Sequence, residues 1–169
     1  MASDIYYDNV VLLLHCDGTD GSTTFTDDSP SQKTVTAYGD AHIETDQSKF
    51  GGASAYFDGS GDYLSAGTST DYDFGSGDMT IELWFRSTDV NGSTTFIGRE
   101  WVGAPWSGGF SFQMRGDYNG GMRVWMADYA TGSPLMTGTT TTHGDAQWHH
   151  AAGRKEVTVH RLYLHGALE

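Results

Sequence analysis

The stretch that decides the fold is residues 79–86, Met-Thr-Ile-Glu-Leu-Trp-Phe-Arg, in which apolar and polar side chains alternate. On an extended chain, successive side chains point to opposite faces, so one face carries Met79, Ile81, Leu83 and Phe85. The other face carries Thr80, Glu82, Trp84 and Arg86. This period of two predicts a β-strand with one face in a core. The same alternation recurs in residues 110–115 and 122–127, which predicts two more strands of this kind.

Turn-forming residues separate the predicted strands. Residues 116–121, Gly-Asp-Tyr-Asn-Gly-Gly, contain an Asn-Gly step that favours positive φ and predicts a hairpin. Shorter runs bounded by Gly, Asp, Asn or Ser predict further strands at 53–57, 63–66, 94–98, 147–152 and 157–164. No segment shows a sustained 3.6-residue apolar period. The sequence therefore predicts an all-β sandwich or barrel, folded as one domain over residues 1–169.

The alternation also predicts which side chains fill the core. Six are expected to be mostly buried: Ile81, Leu83, Phe110, Phe112, Val124 and Leu162. Trp84 and Trp148 are interpreted as structural residues rather than ligand contacts. His149 and His150 are adjacent on a predicted strand and point to opposite faces, so the pair cannot grip one metal ion.

Charge and cysteine content exclude several classes of function. The formal net charge of −13 excludes a nucleic-acid partner, because phosphate binding needs clustered Lys and Arg. The single cysteine, Cys16, cannot form an internal disulfide and is interpreted as a small core residue. The apolar run at 10–14 is too short to span a bilayer, and no signal-peptide pattern opens the sequence. We expect a product made in the cytoplasm without membrane insertion.

Three motifs, in order along the chain, carry a resemblance to a known family. Residues 49–64 read Lys-Phe-Gly-Gly-Ala-Ser-Ala-Tyr-Phe-Asp-Gly-Ser-Gly-Asp-Tyr-Leu, and residues 74–86 read Phe-Gly-Ser-Gly-Asp-Met-Thr-Ile-Glu-Leu-Trp-Phe-Arg. Residues 147–152, Gln-Trp-His-His-Ala-Ala, lead to residues 161–166, Arg-Leu-Tyr-Leu-His-Gly. Together with residues 11–18 they resemble laminin-G-like domains of the concanavalin A-like lectin/glucanase superfamily, as found in bacteriophage tail, fibre and other virion proteins.

The resemblance implies a two-sheet antiparallel jelly-roll sandwich that binds a ligand or forms part of a larger assembly. We expect a non-enzymatic structural and adhesion module of a phage virion, which binds copies of itself or other virion proteins and also host-surface carbohydrate. Its location would then be the virion. A stand-alone carbohydrate-binding lectin is the first alternative, and a glycan hydrolase is the second.

The sequence departs from the family pattern in two places. His165 stands where the family usually has Asp before a turn glycine, and several further strands usually follow a hairpin after which this sequence ends at Glu169. The jelly roll is therefore expected to lack its usual C-terminal strands. In the family the final strand lies beside the first, so we expect the predicted strand at 10–14 to leave an unpaired edge that a partner covers. The alternative is a shorter jelly roll in which residues 35–38 fill that position.

An enzyme is not expected. Laminarinase-type hydrolases of the superfamily use two carboxylates about 5–5.5 Å apart on one strand, within a Glu-x-Asp-x-x-Glu pattern. Glu82 stands alone among apolar and basic residues, and Asp71 with Asp73 lies in a loop that has no Glu partner. No nucleophile elbow or phosphate loop is present in the sequence either.

Residues 100–109, Glu-Trp-Val-Gly-Ala-Pro-Trp-Ser-Gly-Gly, are the candidate sugar-binding loop. Trp101 and Trp106 could present indole faces to a sugar ring there, or they could fold back over the sandwich edge. Four further residues could extend such a platform: Tyr118, Tyr129, Arg99 and Asp128.

Calcium is an additional candidate ligand, although no motif requires a cofactor. Carboxylates and turn carbonyls suit this hard cation, and the candidate residues are Asp17, Asp20, Asp58 and Asp62. Asp-Gly pairs form turns equally well, so both interpretations stay open.

Overall fold

The computed structural model describes residues 5–73, 77–88, 93–99, 110–115, 122–125, 136–138, 143–156 and 159–168. The chain divides into two compact units, Met1–Tyr72 and Asp73–Glu169. In the described residues the regular structure is almost entirely β-strand, and the helical elements are 3₁₀ turns at Tyr7–Asn9 and Thr70–Tyr72. The described part of the chain contains no helix with the length and hydrophobicity that a membrane crossing requires.

Residues 5–72 of the first unit, all of them described, form four short strands. They are β1 (Thr36–Tyr38), β2 (His42–Glu44), β3 (Ser54–Tyr56) and β4 (Tyr63–Ser65). β1 pairs with β4 and β2 pairs with β3, both antiparallel. The strands predicted at 53–57 and 63–66 are thus confirmed. A small core forms around Phe25, Ile43 and Ala53.

The strand predicted at 10–14 is wrong. In this segment only Leu14 forms a bridge, an isolated one with Asp27, and the side chains are half-buried rather than covered on both faces. The physical reason is that the backbone N–H of Leu13 donates a hydrogen bond to the Asp27 carboxylate at 2.9 Å. A side chain therefore accepts a hydrogen bond that a neighbouring strand would accept in a sheet. No strand edge therefore forms at 10–14, and the expected partner stays a prediction. Residues 36–38 do form a strand, but they pair with β4.

The described residues of the second unit form eight strands in two antiparallel sheets. The strands are β5 (Met79–Arg86), β6 (Ser93–Arg99), β7 (Phe110–Arg115), β8 (Met122–Trp125), β9 (Met136–Thr137), β10 (Trp148–Glu156), β11 (Val159–Leu164) and β12 (Ala167–Leu168). One sheet has the order β12-β11-β10-β5 and the other has the order β6-β7-β8-β9. The strands predicted near 79–86, 94–98, 110–115, 122–127, 147–152 and 157–164 are confirmed within the described ranges. The predicted turn at 116–121 lies outside them.

A shared core joins these two sheets into a sandwich. The Phe85 and Phe96 ring centroids are 4.5 Å apart, and those of Phe96 and Phe112 are 6.0 Å apart. Phe112 and Leu162 are buried as predicted. Ile81 and Leu83 are only half-buried, although they pack against the same core. The predicted burial of two other side chains falls outside the described ones, namely Phe110 and Val124. The predicted all-β antiparallel sandwich is confirmed.

A two-residue turn connects β11 to β12. His165 has φ of +49° and Gly166 has φ of +80°, which corresponds to the type I′ turn that suits the twist of a hairpin. The His165 N–H donates to the carbonyl of His150 at 3.0 Å. This turn places His165 beside His150, near the start of β10.

Candidate functional site

The candidate site is the outer face of the sheet β12-β11-β10-β5, defined as the face that points away from the core. Along β5 buried or half-buried side chains alternate with exposed ones, and the exposed, even-numbered residues lie on the outer face. The strand register then fixes their neighbours across the sheet. The outer-face pairs are Arg86 with Trp148, Trp84 with His150, Glu82 with Ala152, and Ala152 with Tyr163.

Trp84 and His150 form the centre of this face. Their ring centroids are 5.1 Å apart at an interplanar angle of 41°. The Nε2 atom of His150 lies 3.7 Å from a carboxylate oxygen of Glu82. Trp84 is 38% exposed on this face. The Glu82 side chain is 68% exposed, so an apolar ring and a hydrogen-bonding carboxylate are both accessible here.

A small residue lowers the surface beside these rings. Ala152 is nearly buried and lies between Glu82 and Tyr163 in the register. Since Ala has no side chain beyond Cβ, the larger side chains rise around it. Leu168, opposite Tyr163, adds an exposed apolar group at the far edge. The face therefore combines a shallow floor with aromatic borders.

One end of this face carries an ion-pair cluster. Glu156 contacts Arg154 at 2.6 Å through one carboxylate oxygen and contacts Arg161 through the other. Exposed pairs of this kind contribute little to stability, because water screens them. They do supply hydrogen-bond donors and acceptors at the border of the aromatic surface.

The opposite face of the same strands holds a histidine cluster. His149 is buried beneath Phe85, whereas His150 lies on the outer face, so the prediction that the two rings diverge is confirmed. The Nε2 atom of His149 is 2.8 Å from the Asp145 carboxylate, and its Nδ1 atom is 3.0 Å from Nε2 of His165. An ionised carboxylate only accepts, so in neutral His149 the Nε2–H donates to Asp145 and Nδ1 accepts from His165.

This chain of contacts changes the acidity of Asp145. The hydrogen bond from His149 lowers the pKa of the Asp145 carboxyl, and the backbone N–H of Gln147 at 3.0 Å acts in the same direction. The buried ring of His149 is therefore oriented from both sides. The hydrogen bonds of His149 to Asp145 and His165 hold the β11–β12 turn against β10.

Most of the predicted sugar platform lies outside the described residues. This applies to Trp101, Trp106, Tyr118, Asp128 and Tyr129. Arg99 is described: it ends β6, and its guanidinium lies 3.5 Å from the Asp73 carboxylate. The platform stays a prediction.

The four calcium candidates lie outside the strands of the first unit, and three of them accept local hydrogen bonds. Asp20 accepts from the N–H and hydroxyl of Thr45, both at 3.1 Å, and Asp58 accepts from the Ser60 N–H at 2.6 Å. Asp62 accepts from the N–H groups of Asp40 and Asp58 at 2.6 and 2.8 Å. These backbone bonds lower the pKa of both Asp20 and Asp62. Asp17 is exposed.

Local bonding explains these carboxylates as turn-stabilising groups. Within the described ranges, no three His, Cys, Asp or Glu side chains are grouped as ligands for a metal ion. Turn carbonyls can also bind calcium. Calcium binding stays a prediction.

None of the residues on the outer face was predicted from the sequence to bind a ligand. Trp84 and Trp148 are interpreted from the sequence as structural, and His150 and Tyr163 carry no predicted role. The alternation along β5 could have identified this face from the sequence. Trp84 and Phe85 are adjacent and point to opposite faces, so a buried Phe85 places Trp84 towards solvent.

Comparison with known proteins identifies the family. A laminin-G family model, described as concanavalin A-like lectin/glucanases superfamily, matches residues 58–169. The match includes β4 and the strands β5 to β12, and hence the strands that carry the outer face. Neither the curated proteins nor the solved structures that were searched contain a match. On the strength of the family model, which covers more than half of its length, the chain belongs to the concanavalin A-like lectin/glucanases superfamily.

Proposed function

We propose that this chain is a non-enzymatic carbohydrate-binding module that holds glycans on the outer face of the sheet β12-β11-β10-β5. The superfamily fits a carbohydrate-binding module. The single observation that carries the proposal is Trp84, an indole that is 38% exposed on a regular strand and flanked by His150 and Glu82. An accessible indole beside hydrogen-bonding side chains offers the combined apolar and polar surface that a sugar ring requires.

The chemistry of the face suits a sugar. One side of a pyranose ring carries C–H groups, which pack against an aromatic ring, and the rim carries hydroxyl groups, which need donors and acceptors. Glu82 supplies an acceptor, while His150 and Arg154 supply donors. The ligand would lie flat, because strands present a surface rather than a deep pocket.

The charge of the chain favours neutral glycans. A net charge of −13 repels sulfated, phosphorylated or uronic-acid-rich chains. The exposed Glu82 beside Trp84 adds a local negative charge at the site. We therefore propose neutral or amino sugars as the ligand class.

The spacing of carboxylates supports a function without catalysis. On the described strands of the outer face the carboxylates are Glu82 and Glu156. Glu82 is opposite Ala152, and Glu156 lies four residues further along β10, which is about 13 Å at ~3.3 Å per residue. Retaining and inverting hydrolases hold their two carboxyl groups about 5 to 10 Å apart, whereas here the Glu82 carboxylate lies beside His150 and the Glu156 carboxylate is held by Arg154 and Arg161.

The finer proposal is that this module acts in adhesion and subunit binding within a phage virion. It is supported by the resemblance of residues 49–64, 74–86 and 147–166 to virion versions of the family. Tail or capsid genes beside the gene for this chain would support the virion role. A gene that lies among polysaccharide-utilisation genes would favour a stand-alone lectin.

The binding proposal is tested with a glycan array followed by calorimetry on a bound sugar. Trp84→Ala should weaken binding, and the exposed area sets the scale: 38% of about 250 Å² at ~25 cal/mol per Å² is about 2.4 kcal/mol, or roughly fiftyfold. Phe50→Ala is the matched control, because Phe50 is an exposed aromatic residue of the first unit. Equal affinity of wild type and Trp84→Ala for every bound glycan would contradict the proposal.

A reducing-sugar assay on the same glycans tests the absence of catalysis. We expect no release by the wild-type protein. Release that is abolished in Glu82→Gln would establish a hydrolase instead.

A further inference from the structure

The second unit brings two imidazole rings together at the β11–β12 turn. His149 lies on β10, and His165 is the first residue of the turn that follows β11. Nδ1 of His149 and Nε2 of His165 are 3.0 Å apart, and the ring centroids are 5.1 Å apart at an interplanar angle of 55°. Without an ion, one proton lies between the two facing nitrogen atoms.

The separation of these nitrogen atoms also suits a common metal ion. Imidazole nitrogen binds Zn²⁺ at about 2.0–2.1 Å, so two such ligands at an angle of about 90–110° are about 2.8–3.4 Å apart. The 3.0 Å between Nδ1 of His149 and Nε2 of His165 lies within this range. A hydrogen bond fits the same distance, so the surroundings of the two rings carry the distinction.

Asp145 orients His149 in the way that carboxylates orient metal ligands. Its carboxylate accepts from Nε2 of His149 at 2.8 Å and from the Gln147 N–H at 3.0 Å. The proton of neutral His149 is thereby held on Nε2, and the lone pair of Nδ1 faces His165. Ligating histidines in proteins usually have such a partner on their other nitrogen, which fixes the tautomer and increases the basicity of the ligand.

Packing and a backbone hydrogen bond hold both histidines in place before an ion binds. His149 is 7% exposed, and the rings of Phe85 and His143 lie 5.5 and 5.4 Å from its ring, centroid to centroid. The His165 N–H donates to the His150 carbonyl at 3.0 Å, which fixes the turn against β10. Folding therefore orders the two ligands, and less freedom is lost when an ion binds.

We propose that His149 and His165 bind one divalent transition-metal ion such as Zn²⁺ through Nδ1 and Nε2, respectively. Imidazole nitrogen suits Zn²⁺, Cu²⁺ and Ni²⁺, whereas Mg²⁺ and Ca²⁺ prefer oxygen. The ion takes the place of the shared proton: neutral His165 then carries its proton on Nδ1 instead of Nε2, so both facing nitrogen atoms offer a lone pair. His165 is exposed, so water can fill the remaining coordination positions.

The bound ion would link β10 to the β11–β12 turn. It would stabilise the folded protein, because folding is what brings the two rings together. Two protein ligands completed by water make a weaker and more open site than a structural zinc centre with four protein ligands. We therefore expect reversible binding by a chain that also folds without the ion. No residue of the proposed glycan surface takes part, so the two proposals are independent.

Isothermal titration calorimetry with Zn²⁺ tests the site, with Mg²⁺ in excess to occupy surface carboxylates. The wild-type protein should bind one ion per chain, and His165→Asn should weaken binding by roughly tenfold or more because one imidazole is lost. This variant should fold, since Asn-Gly is the preferred sequence for the type I′ turn that His165 and Gly166 form. His15→Asn is the matched control, because His15 is an exposed histidine of the first unit, beside Asp28.

Asp145→Asn tests the orienting carboxylate separately. The amide oxygen can still accept from His149, but a neutral group increases the basicity of the ring less, so the affinity for Zn²⁺ should fall about tenfold. A purely structural role would lower the melting temperature without Zn²⁺ and leave the affinity unchanged, which would refute the orienting role. At about a hundred times its dissociation constant, Zn²⁺ should raise the melting temperature of the wild type by about 5 °C or more. His165→Asn should lose this shift.

NMR of the histidine ring nitrogens identifies the atoms that bind. Zn²⁺ should shift the signals of Nδ1 of His149 and Nε2 of His165 and leave those of His15 in place. Three results would overturn the proposal: no saturable binding of Zn²⁺ by the wild type, a His165→Asn variant that binds as tightly as wild type, and shifts confined to other histidines. The last result would mean an adventitious ion only.

Discussion

Replacing Asp27 with asparagine should destabilise the first unit through one buried carboxylate. Asp27 is 3% exposed. One carboxylate oxygen accepts the N–H groups of Leu13 and Ser29, both at 2.9 Å. The other accepts the Ser29 hydroxyl at 2.9 Å and the Lys33 N–H at 2.8 Å. These bonds tie the segment before Leu14 to the loop at 29–33.

The expected loss follows from the geometry of the amide. Asparagine has one acceptor oxygen, so its NH₂ group must face one of the two donor pairs. If the oxygen faces Leu13 and Ser29, the Ser29 hydroxyl can rotate to accept, but the Lys33 N–H remains opposed to an N–H. One buried unsatisfied donor costs about 1–3 kcal/mol, and the loss of charge from the remaining bonds adds roughly 1 kcal/mol. The free energy of unfolding should therefore fall by about 2–4 kcal/mol.

The pH dependence supplies an independent check. Burial alone would raise the pKa of the Asp27 carboxyl, but the hydrogen bonds from Leu13, Ser29 and Lys33 together hold it below its ordinary value. A folded-state pKa below the unfolded value means that the carboxylate stabilises the fold above about pH 4, and that this contribution is lost as pH falls through the folded pKa. The difference between the two proteins should shrink at low pH.

Urea unfolding at pH 7 and at about pH 3 measures both effects. Asp28→Asn is the matched control, because its side chain is half-exposed and its loss should change stability by less than about 0.5 kcal/mol. Other carboxylates titrate equally in wild type and variant, so they cancel in the difference. A loss at pH 7 no larger than that of the control, or a difference that does not change with pH, would refute the role assigned to Asp27.

Two smaller predictions concern the first unit. Gly39 has φ of +67°, and a Cβ there would lie 3.0 Å from the Gly61 carbonyl and 3.2 Å from Cα of Asp62. Gly39→Ala should lower the free energy of unfolding by about 2 kcal/mol or more, whereas Gly59→Ala, at φ of +87° with open space, should cost only about 1 kcal/mol; equal losses in urea unfolding would contradict the close approach. Burial raises the pKa of the Cys16 thiol, so at pH 8 it should react with a disulfide reagent more slowly than a free thiol until urea exposes it. Rapid reaction of the folded protein would show that the thiol is not shielded.

The sequence alone determined the fold class and most strand positions. The alternation in 79–86 depends on neighbouring residues only, and a strand with one core face needs nothing else to be recognised. The divergence of His149 and His150 follows from the same local geometry. The motif at 147–166 likewise predicted the hairpin that β10 and β11 form.

Only the tertiary structure decided the features that depend on distant partners. The segment at 10–14 has the composition of a strand, but the Asp27 carboxylate, far along the chain, takes its backbone N–H. Half-burial of Ile81 and Leu83 depends on how the second sheet covers them. The outer face exists because the register of β5 with β10 sets Trp84 beside His150, 66 positions apart in number, at 5.1 Å between ring centroids. Register is a property of paired strands, so a local pattern predicts which face a side chain occupies and not which side chain it meets there.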